Sequence, residues 1–441
     1  MNQLLHHATE IAQRIADAGH TCYFTGGCVR DALLGIEPKD YDIASSATPA
    51  QLLEIFPKAD SIGAHFGVIL VKYKGEGFEV ATFRKDGDYG DHRRPESVCF
   101  SSPEHDAQRR DFTINGLFQH PKTGKIIDYV GGQDDLQLRC IRAIGDPSAR
   151  FSEDALRLIR AIRFATQLDF EIEEKTWGAI QDNAHLLEHI AIERIQIEFS
   201  KILLSPNRAR GLRLLVDSKL IHWIVPEVLD LIGCEQPPQF HPEGDVYTHT
   251  SIMLEMLDDE APLELCLAVL LHDIGKPATY SYHPEEDRIR FSGHDKVGAD
   301  MAEEILTRLK YPNKVIEASC AMVLNHMNFM NVRFMKVSKL KKFMARPTYQ
   351  EEMELHRVDC ASSNGITENY DYLRSKEEEF ANQPLIPEPL IKGKDLIERG
   401  LKPGPQFKSI LNALQVEQLE GRVSNTNEAF AWLDNLLGSK Q

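Results

Sequence analysis

The sequence has no C-x-x-C pair, although it carries eight cysteines. Thiols scattered in this way offer neither a disulfide framework nor a thiolate zinc site, and they fit a reduced, cytoplasmic setting. Long hydrophobic runs are missing too. The densest, residues 265–271, is far too short to span a bilayer, so no membrane partner is expected. Residues 1–10 lack the basic start and apolar core of a secretory leader. Net positive charge is also absent, the formal value being −17. That figure alone argues against a nucleic-acid partner, but affinity for phosphate depends on local patches rather than on the total. Two patches exist. Arg139, Arg142, Arg150, Arg157, Arg160 and Arg163 face only Asp146, Glu153 and Asp154, and Arg333, Lys336, Lys339, Lys341, Lys342 and Arg346 occur with no acid between them. A solvated helix face is the plain alternative for each. The residues leave the oligomeric state open.

What is present is enough chain for about two to four domains. Residues 2–18 place Leu4, Leu5, Ala8, Ile11 and Ile15 at helical spacing before Gly19. A short strand at 21–25 runs into Gly26-Gly27, a helix is expected at 29–34, and 41–44 is strand-like. Thr48-Pro49 reads as an N-cap with proline at the first helical position. Residues 67–73 and 78–84 are β-rich and joined by a hairpin signal. The first 137 residues therefore read as a small mixed α/β head. From residue 138 helical patterns take over with hardly any strand signal. The expected divisions are 1–137, 138–234, 245–365 and 366–441, with Pro237, Pro238 and Pro242 marking a connection between domains. The histidines His6, His7, His185 and His189 read as surface residues.

Asp40 and Asp42 sit two apart on an expected strand, which would send both carboxylates from one face. Converging hard oxygens suit Mg²⁺, which itself binds substrate phosphates. In a two-metal site the ions lie about 3.5–4 Å apart, activating an attacking hydroxyl and neutralising a leaving group. Glu79, on the neighbouring strand, could complete the set. Gly26 and Gly27 leave backbone N–H groups bare for phosphate, and Arg30 adds a bidentate donor. An acidic pair or a Gly-Gly turn alone is more often structural, whereas the two together in this order are rare.

Gly26-Gly27-Cys28-Val29-Arg30-Asp31, Lys39-Asp40-Tyr41-Asp42 and Arg109-Arg110-Asp111-Phe112-Thr113-Ile114-Asn115 resemble the class II tRNA nucleotidyltransferases, the CCA-adding enzymes and bacterial poly(A) polymerases of the polymerase-β superfamily. Asp128-Tyr129-Val130-Gly131-Gly132 and Glu153-Asp154-Ala155-Leu156-Arg157 continue the match in order. The resemblance implies an α+β, polymerase-β-like head with a mixed sheet, followed by all-α neck, body, HD and tail regions. It implies ATP and CTP as substrates, tRNA as partner and Mg²⁺ at Asp40 and Asp42, with Glu79 completing the catalytic set. Gly27, Arg30, Arg110, Arg160 and Arg163 would contact the nucleotide, and Asp154 with Arg157, at i and i+3 of one helix, would read the base. Residues 84–97 resemble the loop that such enzymes move when switching bases. Residues 62–67 lack the basic pair of the poly(A) polymerases, which favours tRNA over mRNA tailing, and 393–405 resemble a tRNA-binding end.

His249, His272-Asp273, His294, His326 and Asp359 follow the order of the HD phosphohydrolases. Imidazole and carboxylate donors suit one or two transition-metal ions able to activate water against a phosphoester. The alternatives are therefore poly(A) addition, or a phosphohydrolase whose head only binds RNA.

Overall fold

The apolar positions of residues 2–18 fold as helix α1 (Gln3–Asp17), which buries Ala8, Ile11 and Ile15. This computed structural model describes residues 3–61, 63, 64, 67–86 and 98–438. The base-switching loop expected at 84–97 and the segment 62–67 thus lie largely outside the described residues. The chain divides into two units, residues 1–229 with 308–310, and residues 230–307 with 311–441.

In the first unit, α1 is followed by β1 (Cys22–Thr25), α2 (Gly27–Leu33), β2 (Asp42–Ser45), α3 (Pro49–Ile55), β3 (Val68–Tyr73) and β4 (Glu76–Thr82). Thr48 caps α3 reciprocally with Gln51, as the Thr-Pro signal predicts. A ribbon of β5 (Arg84–Asp86) and β6 (Val98–Phe100) and the helix α4 (Pro103–Gln108) lead to β7 (Leu117–Gln119) and β8 (Ile126–Asp128). The mixed sheet has the order β3-β4-β2-β1-β7-β8, antiparallel except between β2 and β4. Ile43, Ala44, Val80 and Phe118 bury its faces. His7 differs from the surface residue expected. It is buried, with Nδ1 2.8 Å from Glu76 Oε2, because α1 turns that side toward the β3–β4 hairpin.

Helix α5 (Gly132–Gln137), the strand β9 (Cys140–Ile141), α6 (Pro147–Glu153), α7 (Leu156–Leu168), β10 (Glu171–Ile172), α8 (Glu174–Asn183), α9 (Ile192–Leu203) and α10 (Arg208–Asp217) complete this unit. Helix α7 is interior, with ten of its thirteen residues buried, Arg157 and Arg163 among them. Charged side chains in an interior helix need partners at their tips, and those partners build the site described below.

The second unit contains α11 (Val246–Met256), α12 (Leu263–Leu271), α13 (Lys276–Thr279), a hairpin of β11 (Tyr280–His283) and β12 (Arg288–Phe291), α14 (His294–Arg308), α15 (Asn313–Asn325), α16 (Val337–Met344), α17 (Tyr349–Ser362), α18 (Glu368–Phe380), α19 (Gly393–Glu398), α20 (Pro405–Leu419) and α21 (Thr426–Gly438). The hairpin and the β9–β10 pair add short strands to a region whose sequence reads as helical; two to four residues are too few for a period to show. The dense apolar run at 265–271 is α12, buried on every side, as an all-apolar helix of this length must be. Its C-terminal end delivers His272 and Asp273 to the interior.

Gly275 decides how closely α14 approaches that turn. A Cβ there would stand 2.5 Å from the His294 carbonyl oxygen and 2.6 Å from the Gly298 nitrogen, both backbone atoms. Gly275→Ala should therefore lower the stability of the second unit by about 1–3 kcal/mol. An unfolding midpoint equal to that of the wild type in a thermal or urea melt would refute the close-approach account.

Candidate active site and metal centre

The chain leaves β1 at Thr25 and turns through Gly26 at φ +75° before α2 starts. A side chain would be strained in that conformation, and its Cβ would lie 3.4 Å from Arg110 Nη1 and 3.7 Å from Asp42 Oδ2. The bare turn thus stands beside a carboxylate and a guanidinium. All three border an open cleft of about 950 Å³ within the first unit. Its wall brings together Gly27, Arg30, Asp40, Asp42, Arg110, Asp154, Arg157, Arg160 and Arg163 from four separate stretches of chain. Nine cationic and six acidic side chains line it, so the cleft carries an excess of positive charge in a chain of net formal charge −17. A polyphosphate is the ligand such an excess favours. Glu79 is exposed on β4 and does not line the cleft.

Asp42 pairs with Thr25 as the first residue of β2. Asp40 precedes the strand rather than lying on it. The expected two-residue strand spacing fails because β1 ends at Thr25, which leaves nothing for Asp40 to pair with. Burial first, then the charges of Asp40 and Glu79, push the Asp42 carboxyl up to about 6, against the pull of Arg110. Arg110 is itself fixed, donating to Asp106 from Nη2 at 2.9 Å and to the Asn115 carbonyl from Nη1 at 3.3 Å. Asp42 and the exposed Asp40, whose charges repel, are hard oxygen donors of the type a divalent cation takes.

Also in the cleft wall is Asp111, a buried residue of the Arg109–Asn115 motif not singled out by the sequence. It accepts from Arg160 Nε at 2.9 Å, from Asn115 Nδ2 at 3.0 Å and from its neighbour's amide at 2.8 Å. Burial opposes its charge, but Arg160 and Asn115 hold the carboxyl far below the ordinary range. Asn115 Oδ1 in turn accepts from Arg30 Nη1 at 2.8 Å. Arg163 lies over the Phe164 ring, 3.9 Å from its centroid, and is bound to Glu198 and Gln167.

Asp154 and Arg157 do not share one helix. Asp154 caps the end of α6 in an extended conformation (φ −138°, ψ 101°), and α7 starts at Leu156. Its Oδ1 accepts from the Leu156 amide at 3.2 Å, the local bond by which an aspartate breaks one helix and starts another. Arg194, missed by sequence reasoning, brings Nη1 and Nη2 to 3.5 and 3.3 Å of the two Asp154 oxygens. Arg157 donates from Nη1 to the Arg150 carbonyl at 3.0 Å and to Glu153 at 2.8 Å, and from Nη2 to the Arg109 carbonyl at 3.0 Å. A guanidinium has five N–H donors, so Nε–H and one Nη2 hydrogen remain for the cleft.

The second unit gathers all six of its predicted ligands. Asp273 lies between two groups, with Oδ2 3.0 Å from His272 Nε2 and Oδ1 3.4 Å from His294 Nε2. His294 and His326 approach Nε2 to Nε2 at 3.1 Å, and His249 Nε2 lies 3.2 Å from Asp359 Oδ1. Three rings are oriented through the opposite nitrogen, His272 Nδ1 on the Val269 carbonyl, His294 on Phe291 and His326 on Val323. A donor on Nδ1 leaves Nε2 as the lone-pair nitrogen. Nε2 of His249 and of His272 make no aligned hydrogen bond despite the nearby carboxylates. Buried imidazole nitrogens left without hydrogen bonds fit a borderline-soft cation by type. Burial and the neighbouring His272 lower His326 to about 4, whereas Asp359 and Glu243 outweigh burial and push His249 up to about 9.

Sequence reasoning took residues 235–244 for a connection between domains, yet three of them reach this centre. Glu243 accepts from His249 Nδ1 at 2.7 Å and lies 2.9 Å from His241 Nδ1, and Gln236 accepts from Lys276 at 2.6 Å. Lys276 also pairs with Asp273 at 2.6 Å. The proline-rich composition hid side chains that count only once the segment folds back.

Residues 22–142 match the family described as Poly A polymerase head domain, 169–232 that described as probable RNA and SrmB-binding site of polymerase A, and 245–361 the HD domain. Both catalytic families imply dependence on divalent metal. A CCA-adding enzyme of Ligilactobacillus salivarius is 37% identical over 432 residues, 96% of this chain and 94% of that one. One from Bacillus cytotoxicus is 33% identical, covering 98% of both chains. The crystal structure of the Bacillus stearothermophilus CCA-adding enzyme in complex with CTP superposes with a TM-score of 0.78 at 28% identity, over 100% of this chain and 99% of that one. The class is therefore a nucleotidyltransferase with an HD domain. Within that class, this chain belongs to the CCA-adding enzyme family.

The carboxylate behind a metal-binding histidine raises its basicity and fixes its orientation. If the six residues hold a cation, Glu243→Gln should weaken Mn²⁺ affinity about 10–100-fold. Titration calorimetry of the two proteins measures this, and equal affinities would remove Glu243 from the centre.

Proposed function

We infer that this protein adds C and A residues from CTP and ATP to the 3′ end of tRNA, releasing pyrophosphate, with no nucleic-acid template. The observation that carries the reading is the convergence of Asp42, Gly26, Arg110 and the α7 arginines on one cationic cleft. Full-length similarity to CCA-adding enzymes supports tRNA over mRNA tailing. The 3′-hydroxyl oxygen bonds to the α-phosphorus, the bond to the β-phosphate oxygen breaks, and the hydroxyl proton is lost. Mg²⁺, held by Asp40 and Asp42 with Glu79 nearby, would supply Lewis-acid activation of that hydroxyl and charge neutralisation at the leaving pyrophosphate.

The protein's own groups do the rest. Gly26 and Gly27 leave room for the triphosphate against bare backbone, and Arg30 and Arg110, already fixed by Asn115, donate to its oxygens. Asp154 accepts from the exocyclic amine that C and A share, and the two remaining donors of Arg157 meet the adjacent ring acceptor. U and G present the reverse polarity there and are rejected. We divide the chain as head (1–137), neck and body (138–234), HD domain (245–365) and tail (366–441), a partition supported by the three family matches. We further propose that the HD ligands hold a transition metal and remove phosphate from damaged RNA ends. No described helix is long and apolar enough to cross a membrane, and all eight cysteines are free thiols, which supports a cytoplasmic setting.

Asp42→Ala should reduce incorporation on a tRNA lacking its terminal CCA by at least about 10²–10³-fold. Retained incorporation would eliminate the assigned centre, and product lengths with CTP, ATP or both separate complete, partial and poly(A) addition. Arg194→Met should release the Asp154 carboxylate from its fixed plane and cut discrimination between CTP and UTP about tenfold, as expected where one specifying bond of about 1–3 kcal/mol loosens. Parallel loss of kcat/KM with both nucleotides would instead mean a merely structural role.

A further inference from the structure

Three residues of the segment 235–244 reach the HD centre, yet a cation accounts for only part of that wall. Lys276 carries only donors, so the amide oxygen of Gln236 must face it, and it accepts at 2.6 Å. Nε2 of Gln236 is thereby fixed as the donating side. Gln236 is 4% exposed, and this Nε2 is buried with no hydrogen-bond partner. A buried donor without an acceptor costs stability unless a ligand completes it. Lys276 also reaches Asp273 Oδ2 at 2.6 Å, so one side chain separates the amide from the ligand cluster. The same segment carries an exposed ring. His241 packs against His249, ring centroids 4.9 Å apart, and its neighbour Phe240 is 42% exposed. The guanidinium of Arg288, at the start of β12, stands over the Phe240 ring, 5.6 Å from its centroid. The other end of β12 touches the centre. There the Phe291 carbonyl accepts from His294 Nδ1 at 2.8 Å, and the Phe291 ring lies 5.4 Å from Lys276 Nζ. Two of the three acids in the hairpin turn are engaged elsewhere, Glu286 by Arg290 and Asp287 by Tyr282 at 2.7 Å. Two stretches of chain thus run from the ligand cluster to one exposed phenyl–guanidinium pair.

Aromatic faces and guanidinium planes stack on nucleobases, and an amide donor fits a phosphate oxygen. We propose that Phe240 and Arg288 stack the base, and Gln236 Nε2 holds a phosphate oxygen, of a nucleoside phosphate bound at the HD centre. The centre then selects nucleotides, free or at the end of a strand, over phosphoesters in general. Gln236, Phe240 and Arg288 are positioning residues, and the cation and its ligands remain the place of reaction. The proposal rests on the HD centre acting on phosphoesters, as proposed above.

The test uses the full-length protein loaded with Mn²⁺ and two non-hydrolysable probes, the phosphonate analogue of uridine 2′-monophosphate and a base-free alkyl phosphonate. Uridine is chosen because the base-reading pair of the head rejects U. In calorimetry, Phe240→Ala should weaken the uridine probe about tenfold, from the loss of one stacked base, and leave the alkyl phosphonate and Mn²⁺ affinities unchanged. Phe240→Tyr should keep the wild-type affinity. Gln236→Leu should weaken both probes about tenfold, from the loss of one charge-assisted donor. Equal losses for both probes on Phe240→Ala, or no loss for either, would overturn the stacking role. Unchanged affinities on Gln236→Leu, or a loss that merely follows a loss of Mn²⁺, would overturn the phosphate contact. A uridine trinucleotide ending in a 2′-phosphonate that competes through Phe240 identifies the ligand as a strand end, and its exclusion identifies a free nucleotide. A wild type that binds the uridine probe through Phe240 but hydrolyses no uridine 2′-monophosphate counts against the phosphohydrolase reading and for this pocket. Hydrolysis that depends on neither Phe240 nor Gln236 does the reverse.

Discussion

One buried carboxylate organises the cationic cleft of the first unit. Asp111 accepts Arg160 from α7 and Asn115 from its own motif, and Asn115 carries Arg30 from α2. Three stretches of chain, centred near residues 30, 111 and 160, are thereby tied to one anion in the cleft wall. A charge in this position is tolerable only when fully paired; removing one partner of such a pair costs about 3–5 kcal/mol. Its pairing is also why two cationic side chains already point into the cleft before any ligand arrives.

Preorganisation of this kind recurs along the wall. Asp106 holds Arg109 and Arg110, Glu153 holds Arg157, Glu198 holds Arg163, and Arg194 spans Asp154. The acidic total of the chain and the cationic excess of the cleft are therefore compatible, because many acids serve as anchors for arginines rather than as free surface charge. A guanidinium bound on one edge still presents donors on the other. A nucleotide can then be gripped with little side-chain ordering left to do at the moment of binding.

The two candidate metal centres differ in the way their donors differ. In the head, burial and the like charges of Asp40 and Glu79 oppose ionisation of Asp42, which suits an ion that arrives with its phosphates. In the second unit, imidazole nitrogens are turned inward by backbone carbonyls, and Asp273 is held well below the ordinary carboxyl range against its burial by His272 and Lys276. The first arrangement suits positioning of a triphosphate, the second a resident ion beside water.

By itself the sequence determined which residue types were available and most of the local structure. The motif around Gly26, Asp42 and Arg110, the helix α1, the Thr48 cap and the residues that cluster in the HD domain were all legible, because periodicity and motif spacing are properties of neighbours in the chain. Tertiary structure alone decided the rest. Asp40 falls off the strand because β1 ends at Thr25, and Asp154 breaks the helix that its spacing to Arg157 suggested. Glu243 emerges from a proline-rich segment as the partner of His249, and Arg194 reaches Asp154 from forty residues away. Arg194 in particular depends on a partner forty residues away, and no local pattern records which distant side chain a fold will bring within hydrogen-bonding reach.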